Sequence, residues 1–140
     1  MTTVHDCAVV ELQRIHNPKG NITVVEKGRP IAFDVKRVYY LYDVPGGEGR
    51  GGHAHRQLRQ LVVAAMGAFD VVLDDGRERR TVSLNRAYQG LLIVPMIWRE
   101  VVNFSSGGVC LVLASTVYDE ADYIREYPAF VQGKLASVGG

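Results

Sequence analysis

The run Gly51-Gly52-His53-Ala54-His55-Arg56 places two histidines at i and i+2, between a valine-rich and a leucine-rich stretch. On a strand, the two-residue period turns both imidazoles to one face. Imidazoles held side by side either grip a metal or move a proton at neutral pH. A third reading makes them ordinary core histidines. With Arg50 before them and Arg56 after them, that reading leaves many polar groups to satisfy in a core.

The elements needed to hold such a pair are strands. Fifteen glycines and many β-branched residues point to sheet. A short β-like run, Asn21 to Glu26, closes in the turn-forming Lys27-Gly28-Arg29-Pro30, and Val35 to Val44 follows with Val38, Tyr39, Tyr40, Leu41 and Tyr42. A glycine-rich loop, Pro45 to Gly52, leads into the histidines. Beyond them, Leu58 to Ala65 and Ala68 to Leu73 flank a bend at Met66-Gly67. Asp74-Asp75-Gly76 reads as a hairpin into Arg80 to Leu84. Gly90 to Val94, Trp98 to Phe104 and Val109 to Ser115 complete the set. Strands and turns at this spacing predict an all-β sandwich or barrel. Asp119 to Tyr127 is the one expected helix, acidic in its first turn and stopped by Pro128. Residues 133–140 are expected as a frayed tail.

At 140 residues the chain is read as one domain, long enough for a sizeable core. A net charge of +1 gives no reason to expect nucleic acid or an anionic membrane as partner. No apolar run approaches the roughly 20 residues of a membrane span, and Met1 to Val10 lacks a signal-peptide pattern. Cys7 and Cys110 form no CxxC pair and are read as reduced thiols. These features together predict a soluble, cytoplasmic protein. Arg77-Glu78-Arg79-Arg80, just past a hairpin turn, reads as a solvated, charged edge.

Gly47, His53-Ala54-His55, Gln60 and Gly67 together resemble the first motif of the cupin superfamily. Gly90, Pro95 and Asn103 resemble its second motif less closely. The resemblance implies an all-β, cupin-type double-stranded β-helix, or jelly roll, with its site in the barrel mouth. Metal-binding cupins have a carboxylate where this chain has Gln60, and often a third histidine where it has Arg99. Arginine has no lone pair to offer and stays protonated. Beside a divalent ion it would also repel, by ~4 kcal/mol per unit charge at 4 Å in partly screened surroundings. The chain is therefore read as metal-free.

From Phe33 to Phe130 the chain is similar to the sugar nucleotide 3,4-ketoisomerases, the TDP-4-keto-6-deoxyglucose 3,4-ketoisomerase family. The blocks carrying the resemblance are Asp34 to Tyr40, Arg50 to His55, Leu73 to Gly76, Asn103 to Ser105, Val112 to Ser115 and Tyr118 to Arg125. The resemblance implies an enzyme of deoxyamino-sugar biosynthesis that converts TDP-4-keto-6-deoxyglucose to the 3-keto isomer without a cofactor. It also implies a homodimer that exchanges N-terminal strands, about the first 30 residues.

The reaction removes a proton from C3, passes through an ene-diol and protonates C4. A histidine with an ordinary pKa suits both transfers, and the developing oxyanion needs donors. Carried over from the resemblance, His53 is the base. His55 orients the sugar or shares the relay, and Tyr39 donates to the enolate oxygen. Arg37, Arg50, Arg56 and Arg99 are candidate clamps for the diphosphate, and Gln60 a candidate sugar contact. Trp98 is read as packing. A TDP-sugar 3,5-epimerase, a metal-dependent dioxygenase and a non-catalytic sugar-nucleotide binder remain as alternatives.

Overall fold

Alternation of small and β-branched residues with polar ones produces strands here, and two sheets result. The computed structural model describes the backbone of residues 1–28 and 30–139, and side chains as far as residue 137. A 3-10 turn, Val4–Asp6, precedes β1 (Ala8–Glu11), the hairpin of β2 (Gln13–Ile15) and β3 (Ile22–Val24), and the short parallel pair β4 (Glu26–Lys27) and β5 (Pro30–Ile31). The body comprises β6 (Arg37–Leu41), β7 (Arg50–His55), β8 (Gln60–Met66), β9 (Phe69–Asp74), β10 (Arg79–Leu84), β11 (Gln89–Ile93), β12 (Trp98–Val102) and β13 (Val109–Ala114). β14 (Tyr123–Ile124) and α1 (Tyr127–Gly139) follow.

One antiparallel sheet runs β1-β11-β8-β13-β6 and the other β10-β9-β12-β7-β14. Their inner faces enclose a core that includes Val62, Phe69, Val71, Leu73, Leu84, Leu91, Ile93, Phe104 and Val112. This is the jelly-roll arrangement expected of the sequence. Phe69 and Phe104 stack at 5.0 Å within it, an offset aromatic pair that adds to simple burial. Gly67 turns β8 into β9 with φ +69, a backbone that disfavours a side chain, and a Cβ there would collide with Ser105. At the Asp74-Asp75-Gly76 hairpin, both aspartates accept backbone N–H groups of the turn.

The C-terminal region departs from expectation. Asp119 to Tyr127 is not one helix. Asp119 caps a single 3-10 turn, Glu120–Asp122, and the chain then extends as β14 against Ala54 and His55 of β7. The α-helix starts at Tyr127, so Pro128 sits inside its first turn. There a missing N–H costs nothing and the fixed φ favours initiation. The helix runs through the expected tail to Gly139, and Gly140 lies outside the described residues. Phe130 anchors α1 against Ala54, Trp98 and Ile124 on the outer face of the second sheet, and buried Lys134 donates to the Thr2 carbonyl at 2.6 Å.

No run of strand-forming residues marks β1, β2 or β5, although the resemblance implies N-terminal strands. β1 pairs with β11 of its own chain. The turn expected at Lys27 to Pro30 includes Arg29, which lies outside the described residues. Arg80, placed on a solvated edge by its sequence context, instead donates to the Val4 and Cys7 carbonyls at 3.1 and 2.6 Å.

Candidate active site

β7 carries the histidines because glycines open its path. A Cβ on Gly52 would lie 2.5 Å from the Trp98 ring, so only glycine lets the strand pass that indole. Ala54 then points outward to α1, while His53 and His55 point inward. Trp98 faces the helix with Tyr127 and Phe130, as its packing role predicts.

A cavity of about 630 Å³ opens between the sheets. Its polar wall includes Arg37, Tyr39, Arg50, His53, Gln60 and Arg99, and its apolar depth includes Val62, Val71, Ile93 and Val112. Six of the eight sequence-derived site residues thus meet in one place. Two do not. His55 is fully buried and lies off the cavity wall, behind His53 at a ring separation of 4.9 Å, edge to face. His55, expected to orient the sugar or share the relay, thus sits one step deeper on the strand, covered by its neighbour and by Tyr123, 4.3 Å away. Arg56 is exposed beyond the end of β7, off the cavity wall, and reaches only the Tyr123 carbonyl at 3.5 Å.

Register explains the groups that converge. Arg99 on β12 is the cross-strand partner of His53 on β7, which places their side chains as neighbours on the inner face. Arg99 Nη1 donates to Gln60 Oε1 at 2.7 Å, and its Nε to the Ile97 carbonyl at 3.0 Å. Gln60 in turn donates through Nε2 to the Tyr39 hydroxyl oxygen at 2.9 Å. The chain of donors has a direction. Arg99 cannot accept, so it fixes the Gln60 amide, and Tyr39 receives a proton there while keeping its own to give.

Electrostatics follow from burial. Arg99 is 2% exposed, with Nη2 unpartnered, and takes part in none of the ion pairs among the described residues. Burial lowers its pKa only to about 10, so it remains a cation. Burial first, and Arg99 second, push His53 down to about 4, with the Gly51 backbone hydrogen bond acting the other way. The same two causes hold His55 far below its ordinary value. Both imidazoles are therefore neutral at pH 7, and His53 Nε2 is buried without a partner. Burial raises Tyr39, which keeps its proton. Cys110 in the cavity wall is pushed up to about 12, a neutral thiol and no nucleophile.

Sequence reading missed Tyr118, Asp122, Tyr123 and Arg125 as site components. Tyr118, Tyr123 and Arg125 line the mouth, where Arg125 is committed to Glu120 at 2.6 and 2.8 Å and lies over the Tyr123 ring at 4.2 Å. Arg37 has Nε and Nη2 buried and unpartnered, and packs over Tyr39 at 5.3 Å. Of the mouth arginines, Arg37 and Arg50 have no carboxylate partner among the described residues. Among those residues, no group of three His, Cys, Asp or Glu is placed to hold a metal ion.

A family model described as "FdtA: WxcM-like, C-terminal" matches residues 5–134. The chain is 42% identical over 122 residues to the TDP-4-oxo-6-deoxy-alpha-D-glucose-3,4-oxoisomerase of Aneurinibacillus thermoaerophilus, covering 87% of this chain and 88% of that one. It superposes on QdtA, a sugar 3,4-ketoisomerase from Thermoanaerobacterium thermosaccharolyticum solved with TDP, with a TM-score of 0.92. Identity there is 36%, covering 96% of this chain and 98% of that one. For the WlaRB TDP-quinovose 3,4-ketoisomerase of Campylobacter jejuni, the TM-score is 0.87 and identity 39%, over 92% and 99% of the two chains.

Proposed function

The chain belongs to the family described as FdtA (WxcM-like, C-terminal), and on that premise we propose that it is a sugar nucleotide 3,4-ketoisomerase. Its substrate is TDP-4-keto-6-deoxyglucose and its product the TDP-linked 3-keto isomer. The observation carrying this reading is the unpartnered Nε2 of neutral His53 beside a buried, unpaired Arg99 cation and a Tyr39 hydroxyl with its proton free.

The chemistry balances within the substrate. His53 Nε2 takes the C3 proton, and the C3–H electron pair becomes the C3–C4 double bond. The former C4 carbonyl oxygen gains negative charge, met by the Tyr39 proton and the Arg99 guanidinium. Collapse in the other sense returns the proton to C4 and leaves the carbonyl at C3, with the hydroxyl proton passing from O3 to O4. No electron leaves the sugar, so no redox cofactor is required. Neutral His53 is a weak base before substrate binds. The incoming diphosphate, held by Arg37 and Arg50, offsets the positive field and raises its basicity. A 3,5-epimerase would instead exchange the C5 proton.

The assembly we propose is a homodimer in which the N-terminal strands are exchanged, so that the partner's β1 takes the place beside β11 that the chain's own β1 occupies in the single-chain structure. Supporting it, edge strand β6 leaves Val38, Tyr40 and Tyr42 largely exposed on the outer face of its sheet, beside half-covered Leu111 and Leu113. Such a stripe on an edge strand calls for a cover. Among the described residues no helix is long and apolar enough to cross a membrane, and the free, buried Cys7 and Cys110 suit a cytoplasmic setting. Function is tested by His53→Asn. The variant is expected to bind TDP like the parent and to lose isomerisation by a factor on the order of a thousand; retained turnover would remove His53 as the base.

A further inference from the structure

Asp122 holds three consecutive residues where β7 ends. Its backbone carbonyl accepts the Arg56 N–H at 2.9 Å, its Oδ1 accepts the Gln57 N–H at 2.7 Å, and its Oδ2 lies 3.0 Å from His55 Nδ1. The side chain is only 11% exposed and that of His55 is fully buried. His55 Nε2 is also buried and has no partner.

The hydrogen-bond count leaves one arrangement. A carboxylate only accepts, and one of its oxygens already serves a backbone N–H that cannot change its role. The other oxygen must therefore face a donor, so His55 carries its proton on Nδ1 and its lone pair on Nε2. Arg99 is foremost among the cations that disfavour protonation of that ring. A lone pair is compatible with a nearby guanidinium, whereas an N–H turned the same way would meet another donor.

We propose that Asp122 is a positioning residue for the reaction, fixing the tautomer of His55 and, through it, the setting of His53 and Arg99. This rests on the ketoisomerase reading of the site. Asp122 itself lies off the cavity wall and takes no proton from substrate. Its effect runs through a neutral imidazole stacked edge-on behind the base, comparable to the carboxylate that orients a catalytic histidine in hydrolytic triads.

Asp122→Asn separates this role from simple support of the fold. The amide oxygen satisfies the fixed Gln57 N–H, so the amide NH2 faces His55 Nδ1, and the imidazole must move its proton to Nε2. In protein with isotope-labelled histidine, long-range proton–nitrogen correlation NMR reads the tautomer directly. The expected result is Nδ1–H in the parent and Nε2–H in Asp122→Asn. With it kcat should fall by about a hundredfold, while the affinity for TDP changes little. Asp122→Glu, which keeps the carboxylate, should retain Nδ1–H and recover part of kcat. An Nε2–H tautomer in the parent overturns the proposal. So does an Asn variant with the parent's kcat, or one that loses kcat with its tautomer unchanged. A parent protein that binds TDP but never isomerises the keto sugar would overturn the ketoisomerase reading and this proposal with it. Failure of the Asn variant alone leaves the ketoisomerase reading standing.

Discussion

Arg99 is a cation buried without a carboxylate, an arrangement costly to a stable core unless an anion arrives during function. Its field and the surrounding desolvation keep His53 neutral, with a pKa near 4 rather than 6.5. A base works only unprotonated. The kcat/KM profile, which reports the free enzyme, should therefore stay level as pH falls through 6.5 and decline only as it nears 4. An acid limb centred at 6.5 would show that His53 is not desolvated as described. Tyr39→Phe removes the hydroxyl that Gln60 leaves with its proton free to meet the enolate. It should cost about a hundredfold in kcat with TDP affinity retained; an active Phe variant would assign the oxyanion to Arg99 alone. Period-two alternation on β6, β7 and β8 made Tyr39, His53 and Gln60 legible from sequence. It could not tell that His55, on the same face, lies beneath Tyr123 and off the cavity wall.

At the scale of elements, the strands could be read from β-branched runs closed by Gly67, Gly76 and Gly107, each at positive φ. The segment from Asp119 to Pro128 could not. Acidic residues ahead of a proline read equally as the first turn and the end of one helix, or as a capped 3-10 turn and the start of the next. Pairing of Tyr123 and Ile124 with β7 decides between them, and that is a tertiary fact. A helical reading of this segment hides Asp122 and Tyr123 as neighbours of the histidines. α1 then backs the strand that carries them, through fully buried Phe130. Phe130→Ala should lower the unfolding free energy by about 3–5 kcal/mol in a denaturant titration. A change under about 1 kcal/mol would mean that α1 is not docked on β7 as described.

For the whole molecule, burying an active site between two sheets leaves the outside of β6 apolar. Val38, Tyr40 and Tyr42 are unlike the charged edges that keep isolated sheets apart. Light scattering should return about twice the chain mass of 15.5 kDa. A monomer at working concentration would contradict the proposed dimer. The jelly roll was legible because strand spacing and turn chemistry are local properties. The partner strand for β1 was not, since Ala8 to Glu11 carries too little pattern to single out β11.

The central claim is that one base carries a proton from C3 to C4 of a keto sugar. Incubation of the protein with TDP-4-keto-6-deoxyglucose in D2O, followed by proton NMR, tests it most directly. The account predicts the 3-keto isomer, with deuterium entering at C4 only to the extent that the His53 imidazolium exchanges with solvent before returning its proton, none at C5, and no product with His53→Asn. Deuterium at C5 with the ketone still at C4, or the 3-keto product formed undiminished by His53→Asn, would contradict it.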